Sequence, residues 1–380
     1  MQQYDYIIAG AGAAGLSLIT RLIDSGKFDD KRILLIDRSP KTVNDRTWCF
    51  WEKENGFFEE VVHRKWNRLY FHSNNFSAEL EMEPYQYKMI RGIDFYNWCF
   101  AKINAKKNID VRYGELRIDK EQTPDIKIYL DEEELLLGGA LVFNSIHSSR
   151  ISKKNNLELL QHFKGWIIET KEPVFDPGIA TLMDFRVQQD NGTTFVYVMP
   201  LSANQALVEY TLFTKAVLPK EQYESALKNY TSQFLQLREY RIIEEEFGII
   251  PMTNAQFPFY QNGIYNIGTA GGQTKASTGY TFQFIQKQTN LIVDLLSANQ
   301  PLQQLRPAPA RFDFYDSVLL QLLSKRTIEG REIFSRLFSR NKASSIFKFL
   351  DNETSLREEL HLISSLQIAP FLKAALQQLV

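Results

Sequence analysis

Gly10, Gly12 and Gly15 stand at the spacing that clears a backbone for a diphosphate. In Gly10-Ala-Gly-Ala-Ala-Gly15 the first glycine permits a tight turn and the second lets the main chain approach a pyrophosphate. The third lets a helix pack closely on a strand. Ala11, Ala13 and Ala14 complete this candidate loop. The helix expected to follow, Ala13 to Ser25, aims its first N–H groups at the anion. Asp37 closes a second apolar run, Ile33-Leu-Leu-Ile36, roughly twenty residues on, where a carboxylate can bind a ribose hydroxyl. Strand, triplet, helix, strand and acid in this register point to a bound dinucleotide. A second glycine-rich stretch, Gly268-Thr-Ala-Gly-Gly272, precedes Ser277-Thr-Gly-Tyr280 and another helix. It reads either as a plain turn and cap or as the place where the far half of the cofactor meets a second helix N-terminus. The dipole and free N–H groups there suit the ribityl, phosphate or N1/C2-carbonyl region of a flavin.

Glu209 is the most unusual acid. Its segment, Gln205 to Phe213, is strand-like, and alternation puts Leu207, Glu209, Thr211 and Phe213 on one face. A carboxyl group among apolar neighbours tends to stay protonated, which is what a Brønsted acid catalyst needs at neutral pH. Phe195, Tyr197 and Met199 alternate on the preceding strand and could line the same cavity. A solvated face, or an arginine partner for Glu209, remains open on the residues alone. Glu244-Glu245-Glu246 reads as a solvated charge run, or as a site acid or base with Glu245 or Glu246 turned inward. The five histidines form no H-x-H or HExxH pair, so no metal centre is expected, and no GxSxG or Cys–His arrangement marks a covalent nucleophile.

A chain of 380 residues should hold two packed units, or one with a helical extension. Its net charge of −1 gives no global field for nucleic acid. Aromatic residues reach 13 %, with 27 Phe and 17 Tyr, enough for a large apolar core or a pocket for a bulky apolar ligand. Cys49 and Cys99 lack metal-like or redox spacing and fit a reduced compartment. No apolar run approaches about twenty residues, so no membrane-spanning helix is expected, and the first strand begins too early for a signal peptide. Residues 321–350 carry seven Lys or Arg against Glu329 and Glu332, interleaved with Ile333, Phe334, Leu337, Phe338, Ile346, Phe347, Phe349 and Leu350. That pattern suits an anionic bilayer surface or, as is more common, amphipathic helices packed on the protein body.

The elements that would position these groups follow from pattern. After the β-α-β start, 41–66 has no clear period. Strands are expected at Arg68 to Phe71, Ser77 to Glu81 and Gln86 to Ile90, then a helix from Asp94, as N-cap, to Lys107. Residues 108–143 alternate like antiparallel strands, and Gly139 to Asn144 looks like a return to the parallel sheet. Ile179 to Val187 and Thr193 to Met199 should form a hairpin across Asn191-Gly192. Lys220 to Leu237 and Tyr280 to Ser297 read as helices, 262–268 as a short strand, and Pro301 to Pro309 as a linker into helices. The fold class is α/β with α+β elements: a nucleotide domain interrupted by an antiparallel sheet and closed by a helical C-terminus.

Taken together, Gly10 to Gly15, Arg46-Thr-Trp48, Phe195-Val-Tyr-Val-Met-Pro-Leu-Ser202, Leu207-Val-Glu-Tyr-Thr211, Glu245-Glu-Phe-Gly-Ile-Ile-Pro251, Gly268 to Gly272, Ser277 to Tyr280 and Phe349-Leu-Asp-Asn-Glu-Thr-Ser355 resemble the flavin-dependent lycopene cyclases of bacterial type. The resemblance runs over nearly the whole chain. It implies a Rossmann-like FAD-binding domain of the flavoprotein monooxygenase type in three parts (1–66, 93–160, 251–300). Inserted strands at 67–92 and an antiparallel substrate domain at 161–250 would accompany it, with a helical region at 301–380. It further implies Glu209 as catalytic acid with Glu245 and Glu246 in the site. Arg46, Gly268, Gly271, Gly272, Thr278 and Gly279 would join the glycine loop and Asp37 in holding FAD. Reduced FAD would be the active form, with NAD(P)H as reductant, a lycopene-like polyene as substrate, and a cytoplasmic chain lying peripherally on the inner face of the membrane. A flavin monooxygenase or isoprenoid reductase of the same fold, or a non-catalytic prenyl-chain binder, would be the rivals.

Overall fold

Strand Tyr6–Ala9 is buried at every residue because it has strand partners on both sides, helices packed on the face of Tyr6 and Ile8, and a small antiparallel sheet packed on the face of Ile7. The computed structural model describes residues 3–119, 127–135, 137–146, 156–305 and 309–378. Ile33–Asp37 and Leu141–Asn144 pair parallel with the first strand. Ile109–Tyr113 and Ile264–Asn266 extend this sheet on the two sides, and Tyr260–Gln261 closes one edge antiparallel. Ile109–Tyr113, expected among antiparallel strands, is thus parallel; the antiparallel set begins later, at Leu116–Asp119, Lys127–Leu130 and Glu133–Leu135. Helix Ala13–Ser25 follows the glycine loop and ends at Gly26, whose φ of 65° suits a left-handed cap.

A second sheet has seven strands in the order Arg241–Thr253, Glu158–Glu169, Gln205–Thr214, Thr193–Pro200, Ile179–Asp184, Arg68–His72 and Ser77–Leu80. Its neighbours are antiparallel except Ile179–Asp184 with Arg68–His72. One face packs Trp166, Val196, Val208 and Tyr210 on helix Lys220–Gln233 through Tyr223, Leu227 and Tyr230. The other packs Phe185, Phe195, Tyr197, Met199 and Leu207 against Phe334, Phe338, Ile346 and Phe347. Those last side chains belong to the basic stretch, so its apolar side faces the protein body.

Two local expectations change. The 41–66 segment contains strands Thr47–Glu52 and Arg64–Trp66, which flank Gln86–Arg91 in a three-stranded sheet. Aromatic residues dominate Thr47–Glu52, so its alternation is hidden. Helix Gly92–Asn104 begins with Arg91 as N-cap, and Asp94 lies inside the first turn, paired with Arg91 at 2.7 and 2.9 Å. The expected linker keeps Pro301 to Leu305 and Pro309, while 306–308 lie outside the described residues.

The helical C-terminus (Ala310–Lys325, Gly330–Arg340, Ala343–Leu350, Leu356–Ser364 and Ile368–Gln378) is tied to the late glycine-rich region by buried charge. Lys275 Nζ donates to Asp316 Oδ2 (3.0 Å) and Asn352 Oδ1 (2.7 Å), while the Ser277 hydroxyl donates to Asp316 Oδ1 (2.7 Å). At the first loop the closest packing is at Gly15, where an added Cβ would lie 1.9 Å from the Gly10 carbonyl oxygen. Gly15→Ala should cost about 1–3 kcal/mol, the range for overpacking, read as a lower denaturation midpoint at unchanged slope; a wild-type midpoint would contradict this packing.

Candidate active site

Register across the second sheet builds the site. Tyr197, Glu209, Gly165 and Glu246 lie side by side on neighbouring strands, so all four face the same way. Gly165 leaves the gap between the two glutamates open. A Cβ there would sit 2.8 Å from Glu246 Cγ and 2.9 Å from its Oε1, so Glu246 leans over the glycine toward Glu209. The Thr211 hydroxyl donates to Glu209 Oε1 (2.9 Å), and the Thr47 hydroxyl donates to Glu246 Oε2 (2.7 Å). Glu209 is only 9 % exposed. Glu246 keeps some solvent contact as a residue, but its Oε1 is sealed and has no well-aligned hydrogen bond among the described residues.

Burial, followed by the Glu246 charge, pushes the Glu209 carboxyl well above the usual carboxylate range. Burial also raises Glu246, against the opposing pull of the Thr47 hydroxyl and Glu209. The two titrate as a pair, with the more tightly held proton on Glu209. Tyr197, Met199, Leu207 and Phe195 surround them, and Cys49 Sγ lies 3.3 Å from Met199 Sδ. Burial and both glutamates push the Cys49 thiol up, which leaves it an inert neutral neighbour.

Glu245 is corrected out of this group. Strand Arg241–Thr253 alternates, so Glu245 projects from the opposite face, where it pairs with Lys164 and is 46 % exposed. The Lys164 ammonium holds its carboxyl below the usual range. Glu244 shares the Glu246 side and accepts from Asn44 Nδ2 at 2.7 Å. Two groups were given no site role from sequence: Thr47, quoted only within Arg46-Thr-Trp48 in the segment without period, and Gly165. An isolated glycine in a strand signals a close approach, and that signal would have found Gly165.

The cofactor candidates converge from both ends of the chain. Gly10 has φ 99°, and a Cβ on it would meet Ser145 Oγ at 2.3 Å; nothing lies within 4 Å of where a Cβ on Gly12 would stand. The open side at Gly12 is the approach a diphosphate needs, with the N-terminus of helix Ala13–Ser25 behind it. Ala11 N–H donates to Asp37 Oδ2 (2.6 Å), and Lys41 Nζ lies 3.1 Å from Asp37 Oδ1. Asp37 therefore braces the loop, and a ribose would share it with Lys41. Gly268 has φ 61°, and a Cβ on it would be 2.6 Å from Ala14 Cβ, so the two glycine segments touch. Gly271 packs on Asn266 O, and Gly272 has φ 76°. Gly279 presses on the acid-bearing sheet, where a Cβ would meet Gln161 Oε1 at 2.1 Å. Beside it, Thr278 Oγ1 and Gln161 Oε1 are buried without hydrogen-bond partners among the described residues. Arg46 is exposed and donates to Asp45 O (2.7 Å), while its own carbonyl accepts from Gly92 N–H (2.6 Å). The loop 44–47 thus joins the glycine-loop half of the molecule to the glutamates.

The architecture is that of FAD-dependent monooxygenases. A geranylgeranyl bacteriochlorophyll reductase-like protein from Thermoplasma acidophilum aligns over 100 % of both chains with a TM-score of 0.65 at 14 % identity. The flavin-dependent brominase Bmp2 aligns over 99 % of both chains, with a TM-score of 0.57 at 13 % identity. In sequence, the chain is 25 % identical over 302 residues to the chloroplastic neoxanthin synthase of Solanum tuberosum, covering 73 % of this chain but 57 % of that protein. It is 26 % identical over 289 residues to the lycopene beta-cyclase of Pantoea ananas, covering 73 % and 71 %. The family model described as lycopene cyclase protein matches residues 5–376, nearly the whole chain, and the chain belongs to that family.

Proposed function

We propose that the chain is a lycopene cyclase that closes acyclic carotenoid ends into β-ionone rings, lycopene to γ-carotene and β-carotene, with no net redox change. The reading rests above all on Glu209, a carboxyl whose pKa is pushed well up by burial and by Glu246, among aromatic and apolar side chains. Glu209 gives its proton to the terminal isopropylidene double bond, leaving a tertiary cation on the substrate. The neighbouring double bond attacks that centre, a C–C bond closes the ring, and a ring proton leaves to restore the double bond. One proton enters and one departs, so the product is an isomer.

The raised pKa that keeps Glu209 loaded also makes it a weak acid, so the positive charge it creates must be stabilised nearby. The departing proton leaves Glu209 and Glu246 as adjacent carboxylates beside the cation, with Phe195 and Tyr197 in the neighbouring apolar cluster. FAD fits the cradle formed by Gly10 to Gly15, Asp37, Gly268 to Gly272 and the Thr278–Gly279 turn, whose Thr278 Oγ1, without a partner among the described residues, could take a polar group. Bound in reduced form, it would add a fixed negative charge beside the substrate, with NAD(P)H keeping it reduced. Thr47 holds Glu246 in place, and the C-terminal helices cover the apolar cluster beside the two acids.

The full-length alignment with the reductase-like Thermoplasma protein favours one second reading, a flavin-dependent reductase of isoprenoid double bonds; a flavin monooxygenase of this fold shares its stoichiometric demand for NAD(P)H. Anaerobic incubation with lycopene and NADPH, following polyene and nicotinamide together, separates them. A cyclase turns over many polyenes per nicotinamide oxidised, whereas a one-to-one ratio would establish a reductase. Glu209→Gln should keep fold and flavin while losing about 10²- to 10⁴-fold in rate, the usual worth of a general acid; activity within threefold of wild type would remove Glu209 from the chemistry.

The pH response has a definite sign. Activity needs Glu209 protonated, so it falls as pH rises through the raised pKa. Because the Glu246 charge is one of the causes of that rise, Glu246→Gln should move the alkaline limb of the rate profile to lower pH. An unmoved limb would mean that the two groups are not coupled.

A further inference from the structure

We infer that the seam between helices Ala13–Ser25 and Phe282–Ser297 is a binding site for a small organic anion, whose carboxylate or phosphate head sits on Arg21. A cavity of about 420 Å³ opens there, within the span of about 300–1,000 Å³ usual for small-molecule sites. Its lining includes Arg21, Phe57, Gln286, Lys287, Asn290 and Leu291, and no residue of the proposed flavin cradle. Arg21 stands six residues past Gly15, about 9 Å along the helix axis. The site is therefore separate from the cradle, and it does not rest on the proposed function.

Three charged side chains line the cavity, Arg21, Glu52 and Lys287, and two of them are already matched. Glu52 accepts from Lys88 Nζ (3.0 Å) and Gln283 Nε2 (2.8 Å), and Lys287 Nζ donates to Glu353 Oε1 (2.8 Å). Arg21 has no counter-charge of this kind among the described residues. Its Nη1 and Nη2 donate to neutral amide oxygens, Asn290 Oδ1 (3.3 Å) and Gln286 Oε1 (3.2 Å), and its buried Nε finds no acceptor there. Each amide is fixed at its other end: Gln286 Nε2 donates to the Ser17 hydroxyl (3.1 Å) and Asn290 Nδ2 to Asp294 Oδ2 (2.9 Å). The Phe57 ring covers one face of the guanidinium, 4.2 Å from its carbon. Burial pulls the Arg21 pKa down to about 10, against the more distant Asp294, Glu52 and Asp24. Asp24 is itself taken by Lys102 (2.8 Å). A cation drawn out of water without a counter-ion destabilises the fold around it, and an anion from solution relieves that. The oriented planar fork suits the oxygens of a carboxylate or phosphate. Phe57 and the 45 % exposed Leu291 give an apolar wall to the body that carries them, which a bare ion would not use.

Titration calorimetry on the purified full-length protein at low salt tests this, with phenyl phosphate and benzoate as probes. Inorganic phosphate and phenol serve as controls. Wild type should bind one phenyl phosphate or one benzoate, and the tighter of the two names the head group. Arg21→Met keeps the apolar stem but removes the fork, and should weaken binding about tenfold or more. Leu291→Glu leaves Arg21 in place, sets a negative charge at the mouth and should weaken binding at an unchanged melting temperature. Saturating probe should raise the melting temperature of wild type and leave that of Arg21→Met unmoved, a difference that a merely structural arginine would not produce. Wild type that binds neither aryl anion would overturn the inference. So would phenol or inorganic phosphate binding as tightly as the aryl anion, or undiminished affinity in either variant.

Discussion

Two carboxyl groups share one buried space, and only a residue without a side chain can stand between them. Moving an isolated carboxylate out of water costs several kcal/mol or more. The pair meets that cost by holding a proton, with Thr211 and Thr47 each supplying one hydroxyl hydrogen bond. Gly165 makes the approach possible. Without it the glutamates would be separated by a side chain, and each would have to find its own compensation. The seven-stranded sheet therefore does more than carry Glu209: its antiparallel register determines which residue faces which.

The glycine-loop half of the molecule reaches this pair through short polypeptide links. Loop 44–47 places Asn44 on Glu244 and Thr47 on Glu246, and the turn containing Thr278 and Gly279 lies on Gln161 of the same sheet. A displacement of loop 44–47 is thereby felt at Glu244 and Glu246 through one hydrogen bond each. Glu245, one residue from Glu246, shares none of this, because a strand turns neighbours to opposite faces.

What could be read from the chain follows the range of the interactions. The glycine loop, helix Ala13–Ser25 and Asp37 are local in sequence and match the observed elements closely. The face of Glu209 also follows from simple alternation, although its burial depends on helices more than a hundred residues away. Pairing across strands is different in kind. That Gly165 lies between Glu209 and Glu246 depends on the register of three strands distant in sequence, and no local pattern states it. Thr47 was obscured for another reason: in Thr47-Trp-Cys-Phe-Trp-Glu52 both faces carry bulky residues, so the period of two disappears.

Lys275 has a consequence for how the molecule moves. Its ammonium is almost wholly enclosed and is neutralised from the far side by Asp316, which Ser277 also holds. Swinging the C-terminal helices away would strand that cation in a low-dielectric interior, a penalty of several kcal/mol. The helical cap is thereby pinned to the turn beneath it, and any separation of the two would have to carry that cost.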